Sequence, residues 1–268
     1  MSRALALSLA VAAACSGGKG KSIEDARSAP KPSDATSAVP AATVHAYRVD
    51  TTAKTGDVQI RVEWKDVPQP LRAPGSPTSC GPARVPALAP STLWGIPDVL
   101  VTVDVDHGKA FEPAAARVVL EGCSFAPRAV VAGPSVHIAS AMLAPTTVTL
   151  QEIAKPLGGA AIAAAKPRTI YLPVAGHEVE AALEPNTVYT LAAGAGPDDL
   201  AVIVSATTPY VAVTEPSGNA VLRGVPVGTH PVRAYLPPRN GAEARSVSGT
   251  VTVTESALAE ITLDISRP

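Results

Sequence analysis

The three cysteines of this 268-residue chain are its most reactive side chains, and their positions separate them by task. Cys15 stands directly behind Ala12-Ala13-Ala14, which in turn close an uncharged apolar run from Ala4; Arg3 puts a positive charge in front of it. A positive start, a short apolar stretch and small residues make a secretory signal, a segment cleaved from the mature chain rather than built into its fold. The run is too short to span a bilayer, and Pro, Gly, Asp or Lys interrupts every later apolar stretch. Cys80 and Cys123 remain. In an oxidising compartment an even pair favours a disulfide, worth about 4 kcal/mol for a loop of this length in the chain-entropy view. Two separate buried thiols, or a Cys/His metal site with His107 or His137, are the alternatives; no CxxC or HxxH spacing supports the latter.

Other polar groups point to weaker chemistry. Asp104, Asp106 and His107 could offer oxygen and nitrogen ligands, but Asp-His-Gly after a β-branched run is the composition of a turn. Asp198 and Asp199 are read the same way. His177 lies beside Glu178 and Glu180 without the second histidine that HExxH zinc chemistry needs. No GxSxG elbow, P-loop or dinucleotide-binding glycine pattern occurs, so the chain is not expected to be an enzyme. Trp64 and Trp94 are expected in packing, and Arg128 in solvent.

The run Met1 to Cys15 resembles the signal of bacterial lipoproteins. In that family the cysteine is acylated and becomes the first residue of the mature protein. A leucine is commoner where this chain has Ala12, so Leu9 and Val11 supply the hydrophobic part. An ordinary secretory signal with an incidental cysteine is the alternative. The resemblance implies an exported protein, lipid-anchored to the cell envelope at the outer membrane and facing the periplasm. Several acyl chains on one residue exceed the marginal hold of a single chain.

The elements that must carry these residues read as strands. Asp57 to Trp64 alternates polar and apolar residues, and Val99 to Val105 is β-branched. Similar runs start at Arg117, Ser135, Thr146, Thr169, Thr187, Leu200, Tyr210, Ala220, His230, Ser246 and Leu258. The 27 prolines argue against long helices. Short strands between Gly/Pro turns predict an all-β antiparallel sandwich. Ser217-Gly218 and Val227-Gly228 read as hairpin turns. Ile153 to Lys166, alanine-rich but broken by Pro156 and Gly158-Gly159, reads as a loop with one helical turn. Residues 16–43 show no hydrophobic period and read as a tether. A net charge of −1 predicts no nucleic-acid partner, and 3% aromatics argue against a sugar-stacking face.

Two segments carry a second resemblance. Val118 to Arg128 contains Gly122-Cys123-Ser124-Phe125-Ala126-Pro127, similar to a strand end in cupredoxin-like, plastocyanin-related exported proteins. Pro209 to Gly218, continued by Gly224 to His230, is similar to a run of the same proteins and to the carboxypeptidase regulatory-like, transthyretin-type sandwich. The resemblance covers about residues 55–265. It implies a cupredoxin-like sandwich at 44–196 and a transthyretin-like one at 197–268, behind the signal at 1–14 and the lipidated tether at 15–43 that the lipoprotein-like start and the composition suggest. The family's copper does not carry over. A blue-copper site takes two His, a Cys thiolate and a weak axial Met. The stretches that should supply them, Ala139 to Thr146 and Leu191 to Asp199, hold no His and no Cys, and their one Met, Met142, falls where the first His belongs. The expectation is a scaffold without metal or cofactor, with a structural or binding role toward the membrane or a protein partner in the envelope. The alternative is a metal-binding or electron-transfer accessory protein with noncanonical ligands.

Overall fold

The computed structural model describes residues 47–65, 76–78, 81–84, 94–113, 116–122, 124–154, 166–193, 200–238 and 243–266. Among them there is no helix. The folded unit runs from Val44 to Pro268. Its strands are β1 (Arg48–Val49), β2 (Thr55–Lys65), β3 (Ser76–Thr78), β4 (Gly81–Arg84), β5 (Leu100–Val103), β6 (His107–Gly108) and β7 (Ala116–Glu121). There follow β8 (Ser124–Ala126), β9 (Ala129–Ala132), β10 (Ser135–Ser140), β11 (Thr146–Ala154), β12 (Arg168–Leu172), β13 (Glu178–Ala182) and β14 (Thr187–Ala192). The last are β15 (Leu200–Ser205), β16 (Val211–Val213), β17 (Asn219–Pro226), β18 (Gly228–Leu236), β19 (Arg245–Val253) and β20 (Leu258–Ser266).

Four sheets stack face to face. The first has the order β17-β2-β20 and the second β16-β5-β18-β19. The apolar layer between them holds Val58, Ile60, Val62 and Trp64 of β2 against Val101, Val103, Val232 and Ala234. The third sheet, β12-β11-β14-β15-β9, faces the fourth, β13-β10-β7-β8. Val118, Leu120, Val136 and Ile138 meet Val148, Leu150, Leu191 and Ile203 there. A third, thinner layer joins the second sheet to the third through Leu100, Tyr235, Val188, Val202 and Val204.

This stacking explains two kinds of strand. In β2 every second residue is buried, as its alternating sequence predicts, because only one face meets a core. In β15 all residues after Leu200 are buried. Ala201 and Ile203 point into one layer while Val202 and Val204 point into the next. A strand apolar on both faces belongs in the middle of a stack.

Two expectations change. The pairing does not divide the chain at 196/197: β2 pairs with β17 and β20, and β5 pairs with β16 and β18. One sandwich is therefore built from both ends of the folded chain, and β7 to β15 form a second sandwich inserted within it. Local composition carries no information about which distant strand becomes a partner, so a linear boundary was the natural reading. The turns at Ser217-Gly218 and Val227-Gly228 exist, but they are arches. They link β16 to β17 and β17 to β18, which lie in opposite sheets. The all-β sandwich class holds and the sheets are mostly antiparallel; within them β2–β20, β7–β10 and β9–β15 run parallel, as does the short β1–β6 pair.

Gly218 shows why one arch is so tight. Its φ is +82°. A Cβ there would lie 2.6 Å from the Val62 carbonyl oxygen and 2.8 Å from the Ile96 nitrogen. Only glycine both adopts that backbone and lets β2 approach.

Candidate functional site

Cys15, Cys80 and Cys123 lie outside the described residues, as do Asp198, Asp199, the signal and tether at 1–43, and residues 155–165 of the alanine-rich stretch expected as a loop from Ile153 to Lys166, whose Ile153 and Ala154 instead end β11. The lipidation site and the disulfide are therefore carried by sequence alone. The remaining polar candidates fall into three places.

The first is the short parallel pair β1–β6. Asp106 leads into it and His107 begins β6, so the expected Asp-His-Gly turn is instead a short strand whose pairing with Arg48 and Val49 comes from a distant segment. His107 Nδ1 is 2.6 Å from Asp106 Oδ1, and Arg48 lies 3.8 Å from the other carboxylate oxygen. A carboxylate only accepts, so the imidazole nitrogen donates. That hydrogen bond holds the Asp106 carboxyl below its usual range. Asp104 turns instead to Arg233, 3.7 Å away. These groups neutralise one another on an exposed rim. Behind them Tyr47 and Tyr210 meet edge to face, with ring centroids 6.2 Å apart. The fully buried Tyr210 donates its hydroxyl to the Gly224 carbonyl at 2.9 Å and accepts from the Lys109 amide at 3.3 Å. Tyr47 donates to the Lys109 carbonyl at 2.6 Å, and burial pushes its own phenol well up. A Cβ on Gly108 would overlap the Tyr210 hydroxyl, so this glycine admits the ring. The arrangement is a clasp that ties β6 to β17.

The second is the outward face of the fourth sheet. The register sets His137 opposite Arg117 on one side and Glu180 on the other. Arg117 pairs with Glu178, whose other oxygen lies 3.8 Å from His137 Nδ1. Among the described residues no group of three His, Cys, Asp or Glu is arranged to hold a metal ion.

The third is one end of the inserted sandwich. Thr146 pairs with Leu172, and Thr149 with Ala192. The β10–β11 loop, the β12–β13 loop and the exit of β14 therefore share that end. The β10–β11 loop and the exit of β14 are the segments where the cupredoxin resemblance would converge its ligands. The described side chains at that end are Ala141, Met142, Leu143, Ala144, Pro145, Pro173, Val174, Ala175, His177 and Ala193. Ser140 fixes the loops: its carbonyl accepts from Gly176 N at 2.8 Å, and its hydroxyl from Met142 N at 3.0 Å. Met142 packs into the core, whereas Leu143 is 92% exposed. Sequence reading passed over Leu143, although a loop of Ala-Met-Leu-Ala-Pro in place of Gly, Asn or Asp was the available signal.

Trp64 is buried in the first core and Trp94 packs against it, as expected. Arg128 is half-buried rather than fully in solvent. No helix among the described residues is long and apolar enough to cross a membrane. Compared with known proteins, the chain matches no family model, no curated protein and no solved structure.

Proposed function

We propose that the chain is an exported protein held to the cell envelope through an acylated Cys15, and that its folded unit is a structural or binding module without a copper site. The observation that carries this reading is the run from Arg3 through the apolar stretch to Ala12-Ala13-Ala14-Cys15. The cupredoxin-like and transthyretin-like readings belong to the same proposal. In their support, the loops that would converge on a metal share one end of the inserted sandwich. Their described positions offer only Met142, which is committed to packing; His177 stands in the neighbouring β12–β13 loop. The polar clusters elsewhere are satisfied by ion pairs and backbone groups, which favours scaffolding over catalysis.

Two measurements test the reading. Cys15→Ser should move the protein out of the membrane fraction. The purified folded unit should stay colourless with Cu(II), lacking the charge-transfer band of a copper–thiolate bond. A variant that remains membrane-bound would remove the anchor. A strong visible band would favour the metal-binding accessory protein instead.

A further inference from the structure

Three of the large apolar side chains that the folded unit exposes belong to segments at the end of the inserted sandwich described above. Leu143 is 92% exposed, Tyr171 58% and Val174 56%. Leu143 lies in the β10–β11 loop, Val174 in the β12–β13 loop, and Tyr171 is paired with Thr147 at the mouth of β12. Neither Ala141 to Pro145 nor Pro173 to Gly176 contains a charged residue. The loops are also preformed. Besides the two bonds to Ser140, Ala141 N donates to the Leu120 carbonyl at 2.9 Å, and His177 N to the Val174 carbonyl at 3.2 Å. Held this way, Leu143 projects without the entropic cost of ordering its loop on contact.

From this geometry we infer that the tip formed by Leu143, Val174 and Tyr171 docks into the lipid surface to which the chain is anchored. The inference rests on the proposed acylation of Cys15. Size favours lipid over a protein partner. Three partly exposed side chains offer a few hundred Å2, whereas a stable protein interface takes about 800 Å2 from each side. A bilayer accepts apolar anchors one at a time, and a tyrosine suits its interfacial layer. Reach favours it as well. Residues 16–46 lie between the anchor and the first described residue, and about 30 residues span up to about 100 Å when extended. A lipid anchor keeps the bilayer at high local concentration, so a contact too weak to recruit a free protein is enough to orient a tethered one.

The test uses the full acylated chain in vesicles of phosphatidylethanolamine and phosphatidylglycerol with brominated acyl chains, which quench only tryptophans that enter the bilayer. The chain has two tryptophans, and Trp64 is buried. Leu143→Trp should add a signal quenched at least about twofold more strongly than the parent's, while Thr250→Trp, on an exposed face of β19, should not. Quenching of Leu143→Trp no greater than the parent's, or equal to that of Thr250→Trp, overturns the inference. So does an emission shift that appears in detergent with rising protein concentration, which would mean that a second copy covers the tip. The anchor is read separately, by flotation of Cys15→Ser with the same vesicles. If that variant floats as well as the wild type, the anchor reading fails; the tip still stands if the Leu143→Trp signal is quenched.

Discussion

Single residues in this protein mostly do positional work, and Tyr210 is the clearest case. It is buried among the first core and spends its one hydroxyl on two backbone groups, the Gly224 carbonyl and the Lys109 amide. Tyr210→Phe keeps the ring and removes both bonds, leaving the two backbone groups without that partner. The loss should be about 1–3 kcal/mol, read as a fall in the denaturant midpoint at unchanged slope. An unchanged midpoint would mean that water takes the hydroxyl's place. This role was invisible in the sequence, where Pro209-Tyr210 opens an ordinary strand. The partners are 14 and 101 residues away, and no local pattern encodes them. Asp106-His107-Gly108 misled in the same way: its composition suits a turn, but His107 and Gly108 pair with Arg48 and Val49, about 60 residues away.

Among the elements, β15 carries the architecture because it belongs to two apolar layers at once. Ile203 faces the inserted sandwich's own core, and Val204 faces the layer shared with the second sheet. Ile203→Ala should cost about 2–5 kcal/mol of overall stability by opening a cavity. Val204→Asp should put an unpaired carboxylate between the sandwiches and loosen them. Faster hydrogen exchange in both β5 and β14, with β2 still protected, would be its signature. Uniform loss of protection would show that the two sandwiches unfold only together. The strands were legible where the pattern has period two, as in β2. β8, β9 and β13 escaped notice: two have three or four residues, and Glu178-Val179-Glu180 reads as a charged loop.

At the scale of the whole molecule, the unexpected feature is nesting. The chain begins one sandwich, builds another, and returns to finish the first, so 44–196 and 197–268 cannot separate into domains. A fragment of residues 44–196 would leave β2 and β5 without β17, β18 and β20. It should expose an apolar face and aggregate, whereas residues 44–268 should give one dispersed amide spectrum. A well-folded 44–196 fragment would refute the pairing. The all-β class was legible from strand spacing and proline content. The nesting was not, since loop-closing partners are chosen by the collapsed chain rather than by neighbours in sequence.

The central functional claim is that this stack is displayed from a membrane by a lipid on Cys15. The most direct measurement is the intact mass of the protein extracted from membranes, with tandem fragmentation of its N-terminal peptide. The account predicts a mature chain that begins at Cys15 and carries diacylglyceryl and N-acyl groups on that residue. An unmodified Cys15, whether inside an uncleaved chain or lost with a signal cut elsewhere, would contradict it.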